Sequence, residues 1–366
     1  MSEFLIIGGG VIGLLMAREL ASAGAEVTVV EQGRCCQEAS WAGGGIVSPL
    51  YPWRYSAAVT ALAFHAQRAY PLLAAQLLDE TGIDPELERT GLLMLDAKDA
   101  GEALRWASEH GKALYPVEPA FLYAREAGLA PGFSHGLWMP DIANIRNPRL
   151  GQALESSLRR NPRVQIREQT QVLSLQTQQH KVSQVQVMQQ GAIATLTAER
   201  VIITAGAWSG GLLAALGVTL PVVPVKGQML LYRPSQRLLN TIVMTDGRYL
   251  IPRRDNHLLV GSTLEHSDFD KSTTEEALLS LRRSAEALLP ALANCRVERQ
   301  WAGLRPGAPE GVPFIGRVPT IDNLYVNAGH YRNGLVLAPA SAQLLADILL
   351  GREPSIDPAP YDPGVR

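Results

Sequence analysis

Six residues near the start of the chain, Gly8-Gly9-Gly10-Val11-Ile12-Gly13, have the spacing G-x-G-x-x-G. In that spacing the first glycine permits a tight turn after a strand and the second lets the backbone approach a pyrophosphate. The third allows a helix to pack closely on the strand. A helix opening at the same place adds N–H donors and a favourable dipole for phosphate. Glu31, 18 residues past Gly13, is placed to accept both hydroxyls of an adenosine ribose. These residues point to an adenine dinucleotide and leave NAD and FAD equally open.

Other chemistries find little support. Cys35, Cys36 and Cys295 are odd in number, two are adjacent, and none forms a CxxC, so neither a disulfide framework nor a zinc site is expected. The seven histidines form no HxH or HExxH pattern, and no metal is predicted. Gly206-Ala207-Trp208-Ser209-Gly210 is not G-x-S-x-G, which removes a serine hydrolase. No second G-x-G-x-x-G follows, against an enzyme with two Rossmann units.

The elements that must position the glycines are legible around them. Residues 4–7 read as a buried strand, 11–23 as a helix stopped by Gly24, and 27–30 as a second buried strand. That is one βαβ unit. The apolar run 4–17 is not read as a signal peptide, because Glu3 replaces a basic start, three glycines interrupt it and no A-x-A-like site follows. It is also too short to span a bilayer, and a cytoplasmic protein is expected.

Further on, 57–81 has helical spacing with Leu62, Ala66, Tyr70, Leu73 and Leu77 on one face, a kink expected at Pro71 and Gly82 as C-cap. Core packing is the expected use of that face. Asn147 as N-cap and Pro148 at the first helical position open another helix, closed by Asn161-Pro162. Strands at 164–167, 171–175, 182–188, 193–197 and 201–204 read as a meander whose last member joins the first sheet. Alternating strands follow between 220 and 262, with a hairpin across Arg254-Asp255-Asn256. Thr273-x-x-Glu276 is a capping box for the next helix. A strand at 324–328 leads through a glycine turn to a helix near 339–350.

At 366 residues the chain is long enough for two or three domains and a large core. With 46% apolar and 19% charged residues it is an ordinary folded globule. Its 33 Lys and Arg against 35 Asp and Glu leave a net charge of −2, too little for a polyphosphate partner, so no nucleic acid is expected.

Three stretches carry a resemblance. Arg200-Val201-Ile202-Ile203-Thr204-Ala205-Gly206-Ala207-Trp208-Ser209 resembles the strand and Ala-Gly turn that flavoproteins of the glutathione-reductase-like superfamily place beside the adenosine end of FAD. Asn323 to Ala328 followed by Gly329-His330-Tyr331-Arg332-Asn333-Gly334 resembles their closing turn. With Ser40-Trp41-Ala42-Gly43-Gly44-Gly45-Ile46, Pro224-Val225-Lys226-Gly227-Gln228, Tyr249-Leu250-Ile251-Pro252-Arg253 and Trp301-Ala302-Gly303-Leu304-Arg305-Pro306, the whole chain resembles the FAD-dependent amine oxidases of the D-amino-acid oxidase superfamily, nearest to the glycine oxidases.

The resemblance implies an α/β fold: a Rossmann-type FAD-binding domain over 1–50, 145–218 and 318–366, interleaved with an α+β substrate domain over 51–144 and 219–317 on a largely antiparallel sheet. It implies that Arg305 holds a substrate carboxylate, with Tyr249 at the same end and Arg332 beside the flavin. FAD, non-covalent because 304–316 contains no cysteine, would be held by Gly8, Gly10, Val11, Ile12, Gly13, Glu31, Gln32, Ala39, Ser40, Gly44, Gly45, Ile46, Val172, Ala205, Gly206, His330, Tyr331, Arg332, Asn333, Gly334, Leu335 and Val336. The implied reaction is hydride transfer from glycine, sarcosine or a small D-amino acid to the flavin, with peroxide formed from oxygen. Its imine or glyoxylate product would serve thiamine thiazole synthesis. A homo-oligomer, a homotetramer in the family, is implied as well. The alternative is an FAD-dependent D-amino-acid dehydrogenase that delivers electrons to a quinone or carrier. Trp41 departs from the small residue of many relatives, and stands either at the entrance or packed outward. Gly247 replaces a histidine of some relatives, and Leu264 stands where Met can lie.

Overall fold

A computed structural model describes residues 2–366 of the chain. Its first strand, Ser2–Ile7, carries the apolar run Phe4–Ile7 because both faces of that stretch are covered: Phe4 and Ile6 enter one core, Leu5 and Ile7 another. It lies parallel to Val27–Val30 on one side and to Ala198–Ile203 on the other. The full six-stranded sheet runs Phe314–Arg317, Leu324–Ala328, Ala198–Ile203, Ser2–Ile7, Val27–Val30, Val164–Arg167. Only the Phe314–Arg317 edge is antiparallel to its neighbour.

One face of this sheet is covered by the helices Val11–Ser22, Ala57–Thr81, Asn147–Arg159 and Gly334–Leu349. The other is covered by a three-stranded antiparallel sheet, Thr170–Gln178, Lys181–Gln189 and Ala192–Leu196. A second large sheet takes eight strands in the order Val297–Gly307, Val223–Tyr232, Leu258–Gly261, Arg248–Pro252, Ile242–Thr245, Leu92–Leu95, Gly136–Met139, Tyr115–Val117. It is antiparallel except where Leu92–Leu95 meets Ile242–Thr245. The helix Glu275–Leu288 packs on one face and Ala100–Glu109 contributes to the other. The architecture is thus the expected α/β fold, a Rossmann-type sheet joined to a largely antiparallel one.

Several local expectations change. Val164–Arg167 pairs with Val27–Val30 at the edge of the parallel sheet, so the meander has three strands. The long helix Ala57–Thr81 continues past Pro71, an exposed residue, without a break. Leu62, Ala66, Tyr70, Leu73 and Leu77 are core residues, and Gly82 closes the helix at φ +73°. Asn147 does not cap its helix; its Nδ2 instead donates to the Ser40 carbonyl at 2.9 Å. The cap of the next helix is Thr274 rather than Thr273, its Oγ1 accepting from the Ala277 N–H at 3.2 Å. The last helix begins at Gly334, five residues ahead of Pro339. Among the described residues, no helix is long and apolar enough to cross a membrane.

Candidate functional site

A cleft of about 490 Å³ opens at the ends of the first parallel strands and is lined by residues from both large sheets. Its floor is the glycine turn. Gly8 sits at φ +115°, and a Cβ there would lie 2.6 Å from the Thr204 carbonyl oxygen, so only glycine fits. Gly13 does not line the cleft. Its bare Cα lets the helix settle onto Gly8 and Thr204, whose Oγ1 donates to the Gly8 carbonyl at 2.8 Å.

Glu31 directly follows the second strand and folds back over this turn. Its carboxylate accepts from the N–H of Gly9 at 2.8 Å and of Gly33 at 2.9 Å. Burial raises its pKa, and those two backbone donors oppose the rise. Each oxygen keeps a free lone pair for a hydroxyl. Gln32, Val172, Ala205 and Gly206 line the same end.

At the head of the first helix the Val11 N–H donates to Ser40 Oγ at 2.9 Å. Ala39, Ser40, Gly44, Gly45 and Ile46 continue the wall, with Gly10 and Ile12 opposite. The Gly43–Gly45 stretch is held from behind by Arg253, which donates to the carbonyls of Gly44 at 2.8 Å and Ile145 at 3.1 Å and to Asn144 Oδ1 at 2.7 Å. Full burial lowers the Arg253 pKa to about 10, so it stays charged at neutral pH. A Cβ on Gly44 would lie 2.9 Å from Ile251 Cδ1 and 3.1 Å from Tyr249 Cε2, so a side chain there would crowd both.

The far end carries the cations. Arg305, on Val297–Gly307, lies across the place where a side chain at Gly227 would stand. It donates through Nη1 to the Lys226 carbonyl at 3.2 Å and through Nη2 to Ser262 Oγ at 2.7 Å. Two of its five N–H groups are thus used. Burial lowers its pKa from the ordinary arginine value, and the neighbouring Arg332 adds to that effect. Tyr249 is buried beside it with its hydroxyl 3.5 Å from Met229 Sδ, a weak acceptor. Arg332 is exposed on the rim.

The closing turn supplies the remaining wall through His330, Tyr331, Gly334, Leu335 and Val336. The His330 ring itself is turned into the core, Nε2 to Ser341 Oγ at 3.0 Å, and burial pushes its pKa down to about 3. Asn333 is buried at the head of the last helix and does not line the cleft. Asn147 Oδ1 and Asn327 Oδ1 are buried among the lining residues without a hydrogen-bond partner. Glycine turns with no room for a side chain, unpaired buried acceptors and an acid at one end make the cleft fit an extended dinucleotide.

Trp41 packs outward, edge-on against Trp301 with centroids 5.3 Å apart and under the Arg299 guanidinium. Gly247 lies in a neighbouring cavity that shares Tyr331 and Arg332, its N–H donating to the Tyr51 hydroxyl at 3.0 Å. Leu264 is exposed outside the cleft. Sequence reasoning did not single out Arg253, Ser262, Trp208 or Phe269, although Arg253 and Trp208 stand inside quoted motifs. Cys35 and Cys36 are buried free thiols whose pKa values burial raises, which suits packing.

A Rossmann-type sheet with this cleft defines a dinucleotide-dependent oxidoreductase. Residues 3–348 match the family model described as "FAD dependent oxidoreductase", and the chain belongs to that family. It is therefore an FAD-dependent enzyme. It is 55% identical to a glycine oxidase of Pseudomonas aeruginosa, with all of both chains covered. The crystal structure of glycine oxidase from Geobacillus kaustophilus superposes with a TM-score of 0.91 at 30% identity, covering 99% of this chain and 98% of that one. A bifunctional protein ThiO/ThiG of Nostoc is 30% identical over 95% of this chain and 52% of its own length.

Proposed function

We propose that the chain oxidises glycine, and with it sarcosine and small D-amino acids, to glyoxylate or the matching 2-oxo acid. Ammonia or an amine is released and oxygen is reduced to hydrogen peroxide. The observation that carries this reading is the convergence of Arg305 and Tyr249 on one end of a cleft whose other end holds the glycine turn and Glu31. Bound FAD supplies the hydride acceptor for the substrate α-carbon and the route of electrons to oxygen.

The protein's own part is placement. The Arg305 guanidinium presents its free N–H groups as a planar fork that suits a carboxylate. The Tyr249 hydroxyl, weakly engaged at Met229, is free to donate to the same carboxylate. Arg332 on the rim adds positive potential that draws the anionic end inward. Gly44, with no side chain, leaves room beside Tyr249 and Ile251.

No side chain needs to take a proton. Glu31 is tied to Gly9 and Gly33, and His330 is neutral and tied to Ser341. The substrate then reacts as the neutral amine, and flavin reduction rises with pH as its ammonium deprotonates.

The residues further support non-covalent FAD, since 304–316 lacks a cysteine. Three free cysteines suit the cytoplasm. Self-association is proposed on the family resemblance, a homotetramer being the expected state. We place the FAD unit at 1–50, 145–218 and 318–366 and the substrate unit at 51–144 and 219–317. The ThiO/ThiG relative supports a link to thiazole assembly.

The test is product stoichiometry in air with glycine, sarcosine, D-alanine and D-proline. One glyoxylate and one peroxide per glycine is expected. Product without peroxide would replace the oxidase by a dehydrogenase.

A further inference from the structure

Pro224-Val225-Lys226-Gly227-Gln228 does more than make room for Arg305. Lys226 is 2% exposed, an uncommon state for a lysine, with Nζ 3.0 Å from Asp270 Oδ2 and 3.8 Å from Glu265 Oε2. Its backbone exchanges two hydrogen bonds of 2.9 Å with Glu265. The Gln228 N–H donates to Thr263 Oγ1 at 2.8 Å, and Gln228 Oε1 accepts from the Thr274 N–H at 3.0 Å. Both ends of the segment 262–274 are therefore fixed to one strand of the antiparallel sheet.

The middle of that segment reaches the other half of the molecule. Phe269 lines the cleft and stacks on Trp208, which lines it too, with ring centroids 5.5 Å apart and planes at 29°. Lys271 Nζ lies 2.7 Å from Oε1 of Glu38, a third lining residue. Trp208 and Glu38 both follow strands of the parallel sheet, whereas 262–274 follows Leu258–Gly261. Phe269 is 48% exposed, so its ring is not held by the core; it is held by Trp208 over the opening.

We propose that residues 262–274 form a strap that retains bound FAD, with Phe269 and Trp208 as its roof and Lys271–Glu38 as its outer tie. The proposal rests on FAD occupying this cleft. Ser262 at the start of the strap also holds Arg305, so the cofactor roof and the carboxylate anchor share one segment.

The test is the rate of FAD release from the purified holoenzyme after dilution, followed by the rise of flavin fluorescence and by FAD recovered in the ultrafiltrate. F269A is expected to release FAD about two- to tenfold faster than wild type, the size of an aromatic pair. K271E, which sets like charges at Glu38, is expected to speed release about two- to fivefold. F269Y should restore slow release, and F121A, an exposed aromatic outside the cleft, should not change it. Wild-type release rates in both F269A and K271E would overturn the strap while leaving the FAD site standing. Wild-type protein that takes up no FAD would overturn both.

Discussion

Replacing Arg305 by alanine is the sharpest perturbation of the proposed carboxylate site. The guanidinium uses one N–H on the Lys226 carbonyl and one on Ser262 Oγ, and its residue lines the cleft. A hydrogen bond to a charged group contributes roughly 1.5–3 kcal/mol, which corresponds to binding weaker by about 10- to 150-fold. The half-buried position favours the upper part of that range, because a carboxylate brought there without its partner stays desolvated. Arg305→Lys keeps the charge and loses the fork, so its loss should fall between alanine and wild type. The assay is anaerobic titration of FAD-loaded protein with glycolate, a carboxylate of glycine's size without the amine, read from the flavin spectrum. Kd values within twofold of wild type for both variants, at equal FAD content, would refute the assignment.

Three further outcomes follow from the same geometry. Gly8→Ala forces a side chain into φ +115° and against the Thr204 carbonyl, and should cost at least about 2 kcal/mol in urea unfolding and prevent FAD uptake. Arg253→Met strands two carbonyls and an amide oxygen behind the Gly43–Gly45 wall, and should destabilise by about 3 kcal/mol or more in the same experiment. His330 is buried neutral with a pKa of about 3, whereas the unfolded chain takes up that proton below about 6.5. Its contribution to stability is therefore intact above pH 6.5 and is lost as pH falls towards 3. By pH 5 the loss is about 2 kcal/mol, and His330→Gln should remove that part of the pH dependence from urea unfolding curves.

The first βαβ unit was legible because strand, glycine turn, helix and acid follow one another within 31 residues, and each element's periodicity is local. Arg305, Tyr249 and the Gly43–Gly45 wall were found through motifs, not spacing, since they lie far apart in sequence and meet only across two sheets. Caps were misplaced by one residue at Thr274 and wholly at Asn147, whose amide bonds the Ser40 carbonyl 107 residues away instead of its own helix. The edge strand Val164–Arg167 was assigned to the wrong sheet because sequence reports burial but not which neighbour provides it. Phe269 escaped notice for the same reason: an exposed aromatic in a loop has no periodic signal, and its meaning comes from Trp208, 61 residues away. Arg253 entered only as the last residue of a quoted motif, and its three acceptors show that it braces the cleft wall.

The measurement that tests the central claim most directly is anaerobic mixing of the FAD-loaded protein with glycine while the flavin absorbance band is followed. The account predicts complete bleaching, faster at higher pH, and an Arg305→Ala protein that needs at least about tenfold more glycine to reach half the maximal rate. An oxidised flavin that glycine leaves unchanged at any pH would contradict it.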